Sequence, residues 1–215
     1  MNLNTNEFNS LSDMVYHALY EGITEGRYQG GELLTESRIA TELGVSRTPV
    51  REALKQLERE DLVISQPNKG VIVRSLQTTD YADIYTIRAL LEGQAAYWAA
   101  QRIEQEELDR MEEILELMDL YTRRNDIPHL LHFDSDFHEI IYKACKSPTI
   151  RSLLVNIHHI LRSKRQSSYT LEGRAALSLN EHRAIFNAIS AHDAKSAKSA
   201  AESHIMNAWH ANPAN

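Results

Sequence analysis

The chain has 215 residues, 42% of them hydrophobic, with 23 Lys and Arg against 30 Asp and Glu. That apolar content suits one large or two small cores, and the net charge of −7 excludes a protein that coats nucleic acid by bulk attraction. No stretch of about 18 apolar residues exists to span a bilayer, and the polar start MNLNTNEFNS lacks the basic and apolar regions of a secretory signal. The expectation is a cytoplasmic protein with no membrane partner. Its one cysteine, Cys145, has no internal disulfide partner and reads as a small core residue. Both halves are net acidic, so any nucleic-acid contact must come from a local basic patch.

Residues 1–9 read as a flexible polar arm. Residues 10–75 read as a winged helix-turn-helix, a small α+β unit. Ser10 with Asp13 signals a helix start, and Leu11, Val15, Leu19 and Ile23 mark its apolar face to about Gly26. A Gly30-Gly31 turn and a short extended piece at Leu33 and Leu34 follow. Thr35 is a good N-cap for a helix from Glu36 to Leu43, and Gly44 ends it. Only Gly44, Val45 and Ser46 separate this helix from the next, the short connection of a helix-turn-helix. Ser46 is expected to cap the second helix, and Pro49 is tolerated in its first turn. Within Gly44 to Glu60, Val50, Ala53, Leu54 and Leu57 form an apolar face. Arg47, Arg51 and Lys55 form a same-sign stripe beside it, which gains most if an anion lies along it. Beyond Asp61 the β-branched runs Val63 to Ser65 and Val71 to Val73 flank Pro67-Asn68-Lys69-Gly70, turn chemistry that predicts a hairpin, the wing.

Residues 76–79 read as a linker, and 80–215 as an all-α six-helix antiparallel bundle. Its helices are expected at about 79–101, 105–124, 128–145, 148–166, 178–191 and 194–210, with Thr170 to Leu177 a looser connection. Tyr97 and Trp98 read as core, and Leu108, Met111, Leu115 and Met118 as the inward side of an otherwise solvated acidic helix. Asp134 and His138 lie four apart and project from one helical face. With His182 and His204 from two other helices they form the ligand set a divalent transition metal favours, although spacing alone is weak in a chain with ten histidines. Of the adjacent His158 and His159, at most one can face the bundle.

The segment Leu33 to Gly70, with its LTESRIATELGVSRTPVREALKQLEREDLV core and a wing glycine, resembles the N-terminal domain of GntR-family bacterial transcriptional regulators. The resemblance implies that the start of the second helix enters the major groove. Residues matching Arg47 and Arg51 then contact bases or phosphates, and those matching Thr48 and Gly70 also lie at the DNA. Family members often carry Arg where this chain has Ser37, so either a backbone contact is missing or Arg38 supplies it. Arg is the side chain that forks onto guanine O6 and N7; Thr48, Asn68 and Lys69 suit phosphate, which positions without specifying. Residues 80–210 resemble the FCD effector domain of the FadR subfamily, through IRALLEGQAAYWAA (Ile87 to Ala100), the D-x-x-F-H of Asp134 to His138, and EHRAIFNAISAHDAKSA (Glu181 to Ala197) followed by His204. This implies metal binding by Asp134, His138, His182 and His204, with Zn, Ni and Mn not separable.

Arg88 has two readings: an ion pair with Glu92, or a fork for an effector carboxylate, which the resemblance favours. Arg162 is a second effector candidate, although neighbouring Lys164 and Arg165 suggest a solvated basic face. The leading reading is a homodimeric regulator that binds double-stranded operator DNA under control of a small organic acid. A metalloenzyme is the alternative. It needs a base beside an open metal position, and HEIIY has Tyr142 where a zincin helix has its second histidine, leaving only Glu139. A winged-helix adaptor without DNA is a third reading.

Overall fold

The computed structural model describes residues 10–24, 26–67 and 69–211. The expected arm at 1–9 and the wing residue Asn68 lie outside the described residues. The chain divides into two compact units, Met1–Gln77 and Thr78–Asn215.

In the first unit, α1 (Leu11–Thr24) starts where Ser10 Oγ accepts from the Asp13 N–H at 3.0 Å, and it buries Met14, Val15 and Leu19. Strand β1 (Leu33–Leu34) leads into α2 (Glu36–Leu43), whose N-cap Thr35 accepts from the Arg38 N–H at 3.3 Å. Gly44 ends α2 at φ 68°, a left-handed turn that costs glycine no Cβ clash. The next helix, α3 (Arg47–Arg59), buries Val50, Ala53, Leu54 and Leu57, the apolar face expected from their spacing. Ser46 occupies the N-cap position but makes no side-chain cap bond, contrary to expectation. Its ψ of 165° supplies the cap backbone without the hydroxyl.

Strands β2 (Val63–Gln66) and β3 (Gly70–Val73) form the expected wing. The sheet is larger than a hairpin: β1 pairs with the far side of β3, Leu33 opposite Ile72 and Leu34 opposite Val71, in the order β1-β3-β2. At the tip of that pairing Gly70 has φ 124°, and a Cβ there would lie 2.4 Å from the Leu34 carbonyl oxygen. No other residue fits so close an approach of two backbones.

The second unit consists of α4 (Thr78–Arg102), α5 (Gln105–Arg123), α6 (Ile127–Ala144), α7 (Pro148–Ile160), α8 (Arg162–Tyr169), α9 (Arg174–Ser190) and α10 (Ala194–His210). Thr78 and Thr79 belong to α4, so the second half of the stretch expected as a linker is already helical, while Leu76 and Gln77 are not. Ala95, Ala96, Ala99 and Ala100 of α4 are buried with Ala197 and Ala201 of α10, small side chains that let helices pack closely. Met111, Ile114, Phe137 and Ile141 fill the same core. As expected, Cys145 and the inward residues of α5 are buried. Tyr97 and Trp98 are only half-buried; the Trp98 ring lies at the core's edge with the Arg102 guanidinium 4.9 Å from its centre.

Among the described residues seven helices stand where six were expected. The segment 148–166 breaks at Leu161, and of the expected looser connection Thr170 to Leu177 only Thr170 to Gly173 is non-helical, the rest being the start of α9. The break falls where one kind of burial replaces another. Leu161 continues the apolar face of α7 and is buried with Tyr85, Ala89 and Ile205. Arg165 and Tyr169, on α8, are buried against a carboxylate. A straight apolar helix serves the first contact, and a re-aimed polar turn serves the second.

Candidate functional site

Each unit carries a candidate site. In the first, the exposed Arg47 and Thr48 open α3, and Arg51 and Lys55 continue the stripe. Arg47, Arg51 and Lys55 border a groove shared with Ser37 of α2 and with Lys69 and Gly70 of the wing. The anion along the stripe is partly internal. Glu36 accepts from Arg51 Nε at 2.6 Å and from Arg51 Nη2 at 2.8 Å, and Arg47 Nε lies 3.6 Å from the same carboxylate. Arg38 pairs with Glu32 at 2.8 Å and remains half-exposed, while Ser37 Oγ lies 3.3 Å from Thr35 Oγ1. Short polar Ser37 therefore cannot reach out as an Arg would, and Arg38 would have to leave Glu32 to replace it.

In the second unit, Asp134 and His138 from α6, His182 from α9 and His204 from α10 converge in the bundle. Each offers one ligand atom, and these atoms all lie within 4.8 Å of one another. His182 Nε2 is 3.3 Å from Asp134 Oδ1 and 3.4 Å from His138 Nε2. Donor atoms around one tetrahedral ion with bonds of about 2.0–2.1 Å are roughly 3.3–3.4 Å apart. All four side chains are buried.

Supporting contacts decide how the imidazoles present themselves. His138 Nδ1 lies 3.2 Å from Glu92 Oε2, and His204 Nδ1 lies 2.8 Å from Glu181 Oε2. A ring that donates its Nδ1–H to such a carboxylate keeps a bare Nε2 lone pair, the tautomer a metal ligand needs. His182 Nδ1 is buried and makes no hydrogen bond. Burial, reinforced by the neighbouring His182, pushes the His204 imidazole down to about 3, and burial also lowers His182, so both are neutral near pH 7. Burial opposes the ionised form of Asp134, yet the charge of Arg165 and the His182 hydrogen bond hold its carboxyl well below the usual range. Glu181 is brought down to about 2 against burial, chiefly by hydrogen bonds from His204 and Arg174. The residues present fit a divalent ion: three imidazoles, one carboxylate and carboxylate backing for two of the rings.

Several groups here escape a reading by motif. Arg165, expected on a solvated basic face, is buried and donates through Nη2 to Asp134 Oδ2 and, at 3.0 Å, to Ser135 Oγ. Tyr169 donates its hydroxyl to Asp134 Oδ1 at 2.8 Å. The signal was available: Leu161, Arg165 and Ser168 share one helical face at i, i+4, i+7. His158 turns inward, its Nε2 3.2 Å from Ser135 Oγ, while His159 is exposed, as adjacency required.

Arg88 is buried and gives both Nε and Nη2 to Glu92 Oε1 at 3.1 Å, the ion-pair arrangement. It lines a cavity of about 20 Å³ with Asp134, Arg165 and His204, room for about one water molecule. A separate cavity of about 580 Å³ is bordered by Ser135, Tyr142, His158, the exposed Arg162 and Arg165. Arg165 lines both. Glu139, the acid a hydrolytic site would need, is instead held by Arg151 at 3.0 Å.

Residues 11–73 match the family described as bacterial regulatory proteins, gntR family, and residues 83–207 match the FCD domain. YdhC of Bacillus subtilis (strain 168), named as an uncharacterized HTH-type transcriptional regulator, is 30% identical over 193 residues, 89% of this chain and 84% of that protein. The gluconate operon transcriptional repressor of the same organism is 33% identical over 150 residues, 69% of this chain and 61% of that protein. Among solved structures, Escherichia coli McbR/YncC superposes with a TM-score of 0.70 over 93% of this chain and 95% of that one, at 21% identity, a likeness of fold. These relatives are regulators of transcription rather than enzymes, and among the described residues no helix is long and apolar enough to cross a membrane. The chain therefore belongs to the GntR family of bacterial transcriptional regulators, in the branch that carries an FCD domain.

Proposed function

We propose that this regulator is a homodimer whose hold on operator DNA is set by a small carboxylate bound in the helical unit beside a divalent metal ion. The observation that carries this reading is the buried convergence of Asp134, His138, His182 and His204 beside a cavity that shares Arg165 with it. On the DNA side, Arg47, Thr48 and Arg51 enter the major groove, Lys69 and Gly70 of the wing follow the backbone, and a two-fold dimer reads a pseudo-palindrome. Ile87 and Leu90 of α4, both more than half exposed and three residues apart, supply an apolar face suited to a second copy.

In the helical unit, Asp134, His138, His182 and His204 hold the ion, with zinc, nickel and manganese all compatible with the donors. When bound, it would supply a Lewis-acidic contact for a ligand oxygen. Arg162 and Arg165 border the larger cavity and suit a carboxylate. Arg88 acts one step back: through Glu92 it steadies the His138 ring. Differential binding to two arrangements of the dimer would change operator affinity by about 5- to 150-fold, the usual range for such coupling. Acting on the chromosome places the protein in the cytoplasm.

Three measurements test this reading. Metal analysis of the purified protein should find about one divalent ion per chain, and none in His182→Ala. Thermal-shift screening of sugar acids and dicarboxylates with metal present should find a stabilising ligand. That ligand should change binding to promoter DNA in the wild type but not in Arg162→Ala. A metal-free wild type that still responds would remove the ion from the mechanism.

A further inference from the structure

The groove between α2, α3 and the wing contains an acid where a surface built only for phosphate would have none. Glu36 is the first residue of α2, and both of its oxygens are engaged by Arg51, Oε1 with Nε at 2.6 Å and Oε2 with Nη2 at 2.8 Å. Arg47 Nε stands 3.6 Å from the same Oε2. The hydrogen bonds from Arg51 lower the Glu36 carboxyl below its ordinary range, so it carries its charge in the groove.

Stability does not account for this arrangement. The Arg51 side chain is 54% exposed and that of Arg47 65%, and exposed ion pairs add little to folding. Direction is what the pair supplies. A guanidinium has five N–H groups in a fixed plane. Side-on pairing with Glu36 uses Nε and one Nη2 hydrogen and leaves the Nη1/Nη2 edge outside the pair. That edge is the one that forks onto guanine O6 and N7. A long side chain that would otherwise be ordered only on binding is held beforehand.

The charge has a second effect. Non-specific binding comes from phosphates meeting cations. A phosphate entering this groove meets Arg47, Arg51 and Lys55 together with a carboxylate, so the stripe offers less to backbone alone. A base edge carries no net charge and avoids most of that repulsion.

We propose that Glu36 is a specificity-determining positioning residue, which aims Arg51 end-on at a base edge and penalises phosphate in the same groove. The proposal rests on α3 being the helix that enters the major groove.

The test uses the full-length wild type, Glu36→Gln, Glu36→Asp and Arg51→Ala. Each selects from one library of duplex DNA with a randomised core, and each is then titrated on the wild-type-selected site and on a scrambled duplex over a range of salt. Thermal melts establish that each variant is folded. Glu36→Gln should bind scrambled DNA several-fold tighter, with a steeper salt dependence. Its selected sequence should lose information at the base position that Arg51→Ala also loses, and its ratio of specific to scrambled affinity should fall about tenfold. Glu36→Asp keeps the charge but shortens the reach; it should lose the same base position without tightening on scrambled DNA. The double variant Glu36→Gln/Arg51→Ala should lose nothing more at that base than Arg51→Ala alone.

An unchanged sequence and ratio in Glu36→Gln overturns the proposal. So does an equal loss on both duplexes, the mark of a structural role. If Arg51→Ala leaves the selected sequence unchanged, the reading of α3 itself fails. Loss in Arg51→Ala without loss in either Glu36 variant overturns only the role of Glu36.

Discussion

Two arginine–carboxylate pairs do opposite work in this molecule. Arg51 and Glu36 meet in the groove of the winged helix, with roughly half of the arginine in water. Arg165 and Asp134 meet inside the bundle, with side-chain exposures of 8% and 5%. In water such a pair is screened and easily exchanged for another anion, so its value lies in where it points the guanidinium. Inside, each charge has lost its hydration and needs the other; removing one partner strands the second. If α3 reads DNA as proposed, the same chemistry serves recognition in one unit and constraint in the other.

The largest effect expected from breaking that comparison is Arg165→Ala. Asp134 would keep the Tyr169 hydroxyl and the weak His182 contact but lose its buried counter-charge. Destabilisation of about 3–5 kcal/mol is expected for an uncompensated buried charge, read as a fall in the urea midpoint of the metal-free protein. A divalent ion should restore part of the loss, because it supplies positive charge at the same carboxylate. A loss below about 1 kcal/mol would show that water reaches Asp134 and that the pair is not truly interior.

Next comes acidity. His204 is held neutral down to about pH 3, whereas an unfolded histidine protonates near 6.5. Between those values the unfolded chain binds more protons than the folded one, so stability rises with pH there. Its contribution is present above about 6.5 and is lost as pH falls towards 3. Glu181, down at about 2 from 4.5, acts in the same direction: its contribution is present above 4.5 and lost as pH falls through 2. The metal-free protein should therefore lose on the order of a few kcal/mol between pH 7 and 4, and His204→Gln should flatten the profile. A flat wild-type profile would mean that His204 is hydrated in solution.

Removing ligands should have a middle-sized effect. An ion at 1,000 times its dissociation constant stabilises by about 4 kcal/mol, and His138→Ala or His182→Ala should abolish that increment in a thermal melt with zinc or nickel. The wild type and the variants would melt alike only if the four ligand atoms gather for hydrogen bonding rather than for an ion.

How much of this was legible in sequence follows from range. Val50, Ala53, Leu54 and Leu57 announce α3 because each is within one or two turns of the next, and Asp134 with His138 announce half of the candidate ligand set for the same reason. The backing of those ligands is not local. Glu92 lies 46 residues from His138, Arg165 is 31 from Asp134, and Glu181 is 23 from His204. No periodicity connects them. β1 escaped recognition as a sheet strand because two residues carry no alternation, and its pairing with β3 is set by Gly70 on the other side. The break at Leu161 has no proline or glycine to signal it; it follows from Asp134, which lies on another helix.

The smallest stability effect, and the sharpest functional one, belongs to the exposed pair. Arg47→Ala and Arg51→Ala should each change the unfolding free energy by no more than about 0.5 kcal/mol, because Val50, Ala53, Leu54 and Leu57 hold α3 in place without them. Binding should respond differently to the two. Arg47 meets Glu36 only through Nε at 3.6 Å, so its loss should weaken all duplexes alike and lower the salt slope by about one. Arg51, held side-on, should cost about 1–3 kcal/mol of discrimination at a single base while scrambled DNA is bound nearly as before. Equal behaviour of the two variants would mean that the stripe acts only as charge, and the distinction between the exposed and the buried pair would reduce to dielectric alone.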